Sequence, residues 1–184
     1  MDDFLKLRKI YELKKVYRRN SVEKRHESSA EHSWSAILVA DYLLNFVDQK
    51  IDRLKVYDLL LYHDIVEIET GDIPVLEVKD KQAKEANELL AMEVLAKKLP
   101  KEIQKKAVAL FNEYVERKTV EARFAVAVDK MDAILHELDY KDDWKTWDEK
   151  ILRNYSEKKF AEFPKILAMF EEIVKFLNEN KFFG

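Results

Sequence analysis

Two histidines and two aspartates stand where a helical chain should bury apolar side chains. His32 follows Ser28 and Glu31, whose three-residue spacing is that of a capping box. It heads a stripe of Ala36, Val39 and Leu43 on an inward helix face. His63 and Asp64 close the apolar run LLLY, and Asp129 interrupts AVAV in the most apolar helix of the chain. Buried without partners, such groups cost on the order of a few kcal/mol each. Two imidazoles and two carboxylates suit one divalent ion, drawn from Mn, Co, Fe, Ni, Zn or Mg. Each group alone has a plainer reading: an inward histidine is more often a hydrogen-bonded core residue, and a buried aspartate often caps a helix or pairs with arginine. Three separate helices that carry the same kind of group make the stronger case.

Glu67 lies four residues after His63 and three after Asp64, so one continuous helix would place all three on one face. A carboxylate beside a metal-activated water is the usual general acid or base. The residue types alone fit equally well a solvated helix charge or a group that orients His63.

The elements that must hold these residues read as helices throughout. With two glycines and three prolines in 184 residues, turns are scarce, and the residue mixture favours an all-α fold. We expect one compact multi-helix domain over residues 1–184. The first helix places Phe4, Leu7, Ile10, Leu13 and Tyr17 on one stripe and is expected to run to Arg19, followed by a polar loop to Ser28. Helices are then expected from Ser28, over 53–69 with stops at Gly71 and Pro74, over 79–98, over 101–117 and over 120–140. A weaker stretch follows, and then a C-terminal helix over about 157–180 that takes Pro164 into its first turn.

Composition excludes several chemistries. No cysteine is present, so thiol catalysis, disulfides and zinc–thiolate sites are ruled out. With 33 basic and 36 acidic residues interspersed, the chain lacks the positive field that a nucleic-acid polymer requires. The charged N-terminus MDDFLKLRKI has no signal-peptide core, and no apolar run approaches the roughly 18 residues of a membrane span. We expect a soluble cytoplasmic protein with no membrane partner.

The motifs EHSW (31–34), HDIVEIETGDIP (63–74) and AVDKMDA (127–133) resemble the HD-domain metal-dependent phosphohydrolases. The resemblance is to the branch of 5'-deoxynucleotidases and oxetanocin-type enzymes, and it covers about residues 5–140. It implies His32, His63, Asp64 and Asp129 as ligands of one ion, Glu67 as the catalytic acid, and Asp72 as a contact to the nucleoside sugar. It also implies an arginine late in the first helix that grips phosphate. Family members carry an Arg-Trp pair there, whereas this chain reads KKVYRRN, which leaves Arg18, Arg19 and Arg25 as candidates. Lys130 is a further candidate contact to an anionic substrate. The implied activity is hydrolysis of 2'-deoxynucleoside 5'-monophosphates, a small-molecule nucleotide substrate. The alternatives are another nucleotide in the same site, or a non-catalytic helical protein that binds metal or nucleotide. Relatives often dimerise, so a homodimer is expected, with Trp144, Trp147, Phe182 and Phe183 either at its interface or over the domain's own core.

Overall fold

The computed structural model describes residues 3–183. The chain opens on a short helix α1 (Asp3–Leu7) that tightens into a 3-10 helix over Arg8–Lys15. It leaves helical conformation at Val16, whose ψ is 114°. An antiparallel hairpin follows, β1 (Tyr17–Val22) and β2 (Arg25–Ser28), with Tyr17 opposite Ser28 and Val22 opposite Arg25. This corrects both the helix expected to Arg19 and the polar loop after it. The β-favouring residues Val16, Tyr17 and Val22 frame the first strand, and Glu23 takes the positive φ (51°) of the tight turn. Tertiary bonds then fasten the strand: the Ser21 N–H and Oγ both donate to Asp143 at 2.8 Å. The fold remains all-α apart from this ribbon.

Helix α2 (Ser29–Leu43) begins with the expected capping box, the Glu31 N–H donating to Ser28 Oγ and the Ser28 N–H to Glu31 Oε2. Helix α3 (Arg53–Tyr62) is capped by Asp52, and α4 (Glu67–Thr70) follows after a tight turn. The helix expected over 53–69 is therefore interrupted at the His-Asp pair itself. There, His63 Nδ1–H takes the Leu60 carbonyl at 2.8 Å, which a continuing ladder would offer to the Asp64 N–H. The backbone responds with tighter bonds, such as Glu67 N–H to Asp64 O at 3.0 Å.

Gly71 ends α4 with φ 72° and ψ 164°, a conformation open essentially to glycine alone. An added Cβ would meet nothing within 4 Å, so the penalty of a side chain there is backbone strain, not collision. Gly71→Ala is expected to destabilise the protein by about 1–3 kcal/mol, read as a lowered midpoint in urea denaturation.

Helices α5 (Lys81–Lys98), α6 (Lys101–Glu116), α7 (Val120–Glu137), α8 (Glu149–Phe160) and α9 (Pro164–Glu179) complete the bundle. The C-terminal helix thus begins at Pro164 in its first turn; residues 157–160 belong to α8. Helix α7 is central, packed against α2, α3, α6, α8 and α9, and is buried without interruption from Phe124 to Asp129. Trp144 is fully buried beside Trp147, Phe182 and Phe183, and its indole N–H donates to the Glu137 carbonyl at 2.9 Å. These aromatics cover the protein's own core.

Candidate metal centre

The first turn of α2, the break after α3 and the middle of α7 deliver His32, His63 with Asp64, and Asp129 to one point. His32 Nε2 lies 3.0 Å from Asp129 Oδ1 and 3.9 Å from Asp64 Oδ2. His63 Nε2 lies 3.2 Å from Asp64 Oδ1 and 4.0 Å from Asp129 Oδ1. One ligand atom each from His32, His63 and Asp129 falls within 4.8 Å of the others.

The hydrogen bonds show what this cluster lacks. His63 donates through Nδ1 to Leu60, so Nε2 carries a lone pair; it is buried, has no hydrogen-bond partner and faces carboxylate oxygens. An acceptor aimed at acceptors is repulsive unless a cation lies between them. His32 donates through Nδ1 to Asp132 Oδ2 at 2.8 Å, which turns Nε2 towards Asp129. Burial and Arg18 oppose a charge on His32, but the bonds to Asp129 and Asp132 raise its pKa to about 9. The space therefore calls for positive charge, either a proton on His32 or a divalent ion. Two nitrogens and two oxygens fit borderline divalent ions well. Burial alone would raise Asp129, yet Lys130 at 2.9 Å and the two imidazoles hold it well below the carboxylate range.

Asp132, one turn after Asp129, fixes the His32 tautomer and also accepts from Ser35 Oγ at 2.9 Å. Asp132→Asn is expected to weaken Mn or Co binding by about 10–100-fold, measured by titrating metal-free protein.

Glu67 is buried beside the cluster and accepts from Ser29 Oγ at 2.6 Å. Burial, with the charges of Asp64 and Asp72, pushes its pKa well above the usual carboxylate range and favours the protonated form. Arg18 reaches in from β1, with Nη1 at 3.4 Å from Asp64 Oδ2 and Nε at 3.2 Å from the buried Glu27. Glu67, Arg18, His63, Asp64 and Asp129 border a cleft of about 500 Å³, large enough for a small-molecule ligand, which Asp72 and Lys130 also line. Arg19 sits exposed at its rim, 3.8 Å from Glu77. Arg25 is not brought to the cleft: it pairs with Glu31 at 2.6 Å and lines a separate depression with Trp34. His26 and His136 also stay outside the cluster, bonding the carbonyls of Arg19 and Ser21.

Sequence reasoning missed Asp132, Tyr114, Ser29 and Glu27. Asp132 had a signal, its three-residue spacing from Asp129 on one helix face. Tyr114, whose Oη donates to Asp129 Oδ2 at 2.5 Å, comes from a different helix and gave none.

Glu137 also lines the cleft and accepts from Asn20 Nδ2 at 2.8 Å. Burial, then Asp143, lifts its pKa from 4.5 to about 8. Between those values the folded protein binds the extra proton, so this group makes stability fall as pH rises through that window. In Glu137→Gln, urea denaturation is expected to show a shallower loss of stability across the same range.

The chain belongs to the HD-domain family, whose model matches residues 10–168. Over 95 residues it is 33% identical to 5'-deoxynucleotidase HDDC2 of Xenopus laevis and 30% identical to the Homo sapiens protein of that name. Each match covers 52% of this chain and 47% of the relative, so the matched region spans about half the length of those proteins. Among solved structures, a predicted metal-dependent phosphohydrolase from Magnetospirillum magnetotacticum superposes with a TM-score of 0.86 at 28% identity, covering 97% of this chain and 92% of that one. An HD-domain phosphohydrolase from Listeria innocua shares the fold, with a TM-score of 0.65 at 19% identity over 94% of this chain and 84% of that one. No described helix is long and apolar enough to cross a membrane.

Proposed function

We propose that the protein is a metal-dependent phosphomonoesterase that hydrolyses 2'-deoxynucleoside 5'-monophosphates to nucleoside and phosphate. The observation that carries this reading is a buried Glu67, whose surroundings favour its protonated form, and a charged Arg18 at one cleft with His63, Asp64 and Asp129, the residues that cluster with His32. Partial-length similarity to 5'-deoxynucleotidases supports the choice of substrate.

A single divalent ion, when bound by those four residues, supplies Lewis acidity to the phosphoryl group and the attacking water. Arg18 presents planar donors to the non-bridging phosphoryl oxygens and offsets the charge that builds there. Its contacts with Asp64 and Glu27 hold the guanidinium in place before substrate arrives. Glu67 gives its proton to the departing sugar oxygen, and Ser29 Oγ holds the carboxyl in orientation. Asp72, set into the cleft by the Gly71 turn, accepts a hydrogen bond from the sugar and disfavours ribose. Arg19 and Lys130 add positive charge along the substrate's path. The reading includes a cytoplasmic homodimer, supported by an exposed apolar stripe on α2 at Trp34, Leu38 and Tyr42.

The test is a panel of deoxy- and ribonucleotides, each with Mn, Co, Mg and Zn in turn, with products identified. Orthophosphate and deoxynucleoside are expected from the monophosphates. Tripolyphosphate from a nucleoside triphosphate would replace the substrate, and no release by metal-loaded protein would leave only a binding role.

A further inference from the structure

The cleft has a second basic wall, on α7 and α8, of which the reading above uses only Lys130. Helix α8 contributes Tyr155 and Lys159, and α7 contributes Lys130. Lys159 Nζ lies 4.2 Å from the centre of the Tyr155 ring and Lys130 Nζ 5.4 Å from the same centre, so the ring is flanked by two ammonium groups. Other cations of this wall have acid partners: Lys84 with Glu88 at 3.2 Å, and Arg117 with Glu85 at 3.2 Å. Among the described residues Lys159 has no ion-pair partner. Its surroundings are burial and the like charges of Lys130, Lys81 and Arg117, which together bring its pKa down to about 8. Lys130 leans on Asp129 at 2.9 Å, but Asp129 also faces both imidazoles, 3.0 Å from His32 Nε2 and 4.0 Å from His63 Nε2. A divalent ion shared with Asp129 would leave the wall more positive still. A half-buried ammonium such as Lys159, under the like charge of Lys130 and without an anion of its own, is unfavourable, and a bound anion offsets this.

We propose that Lys159 and Lys130 form a second phosphate-binding site in the cleft, so that the preferred substrate is a nucleotide bearing a second phosphate beside the one removed. The inference rests on the phosphohydrolase reading above. The second phosphate belongs either to a chain, as in a diphosphate, or to another sugar position, as in a 3',5'-bisphosphate. Both present anionic phosphoryl oxygens to the lysines, a singly charged bridging phosphate in the diphosphate and a dianion in the bisphosphate.

The experiment compares kcat/KM for 2'-deoxyadenosine 5'-monophosphate, the 5'-diphosphate and the 3',5'-bisphosphate on wild type, Lys159→Gln and Lys159→Arg. Wild type is expected to favour one of the two-phosphate compounds by about tenfold or more, as charge-assisted bonds imply. Lys159→Gln should erase that ratio and Lys159→Arg should keep it. Whichever compound is favoured identifies the source of the second phosphate. Calorimetric titration of Glu67→Gln protein with the same three compounds reads the site without turnover. Equal efficiency for one- and two-phosphate compounds would overturn the proposal. So would a Lys159→Gln variant that weakens all three by the same factor. Failure of the phosphohydrolase reading looks different: no compound is cleaved, while the Lys159-dependent preference in binding persists.

Discussion

Glu67→Gln is expected to lower turnover by about 10²–10⁴-fold while the ion stays bound. The expectation follows from three features of the site. Glu67 is buried, so ionisation is disfavoured; Asp64 and Asp72 add negative charge that disfavours it further; and Ser29 Oγ, at 2.6 Å, holds the group in one orientation. An acid whose surroundings favour its protonated form can hand a proton to a leaving oxygen, and glutamine cannot. Glutamine retains an oxygen to accept from Ser29, so the fold and the neighbouring cluster are conserved. The pH dependence has a definite sign. Because the active form is the protonated one, wild-type kcat falls as pH rises through the elevated pKa of Glu67, and this limb is absent from the residual activity of the variant. Initial rates of phosphate release measure the loss, and metal analysis by mass spectrometry checks that the ion remains. Full turnover by metal-loaded Glu67→Gln would remove Glu67 from the chemistry.

What the sequence disclosed, it disclosed through local rules. The Ser28–Glu31 capping box places His32 in the first turn of α2 because both of its hydrogen bonds lie within three residues. Pro164 starts α9 because its missing N–H costs nothing in a first turn. Asp129 and the His-Asp pair stood out because polar groups in apolar runs need partners, and the fold supplies those partners across three segments. The hairpin that carries Arg18 was not legible. Its strands read YRRNSV and RHES, with no alternation of apolar residues, and are held by bonds to Asp143, Glu137 and His136 more than one hundred residues away. The break at His63 was hidden for a related reason. The histidine side chain competes for a backbone carbonyl, and periodicity does not register that competition. Lys159 passed as one more charge on a helix face until α8 packed it beside Lys130 and Tyr155.

Asp129→Asn should lower metal content from about one ion per chain to near zero at micromolar metal, and phosphate release should fall with it. Asparagine is the informative replacement. Asp129 also accepts from Tyr114 Oη, and an alanine would leave that hydroxyl, Lys130 and His32 Nε2 without their partner. Breaking a buried charged pair in that way costs about 3–5 kcal/mol and would confuse a metal defect with unfolding. Wild type saturated at about 100 times Kd gains about 2.7 kcal/mol from the ion, so a chelator should lower its Tm and added Mn should restore it. The variant should respond to neither. The metal-free site adds a second readout. His32, with its pKa raised to about 9 by Asp129 and Asp132, is protonated at neutral pH and must lose that proton before Nε2 can ligate. Metal titration of wild type should therefore release about one proton, seen as a binding enthalpy that changes with the ionisation heat of the buffer. If Asp129→Asn binds the ion as tightly as wild type and still turns over, the ion is held elsewhere and the cluster is only a buried hydrogen-bond network.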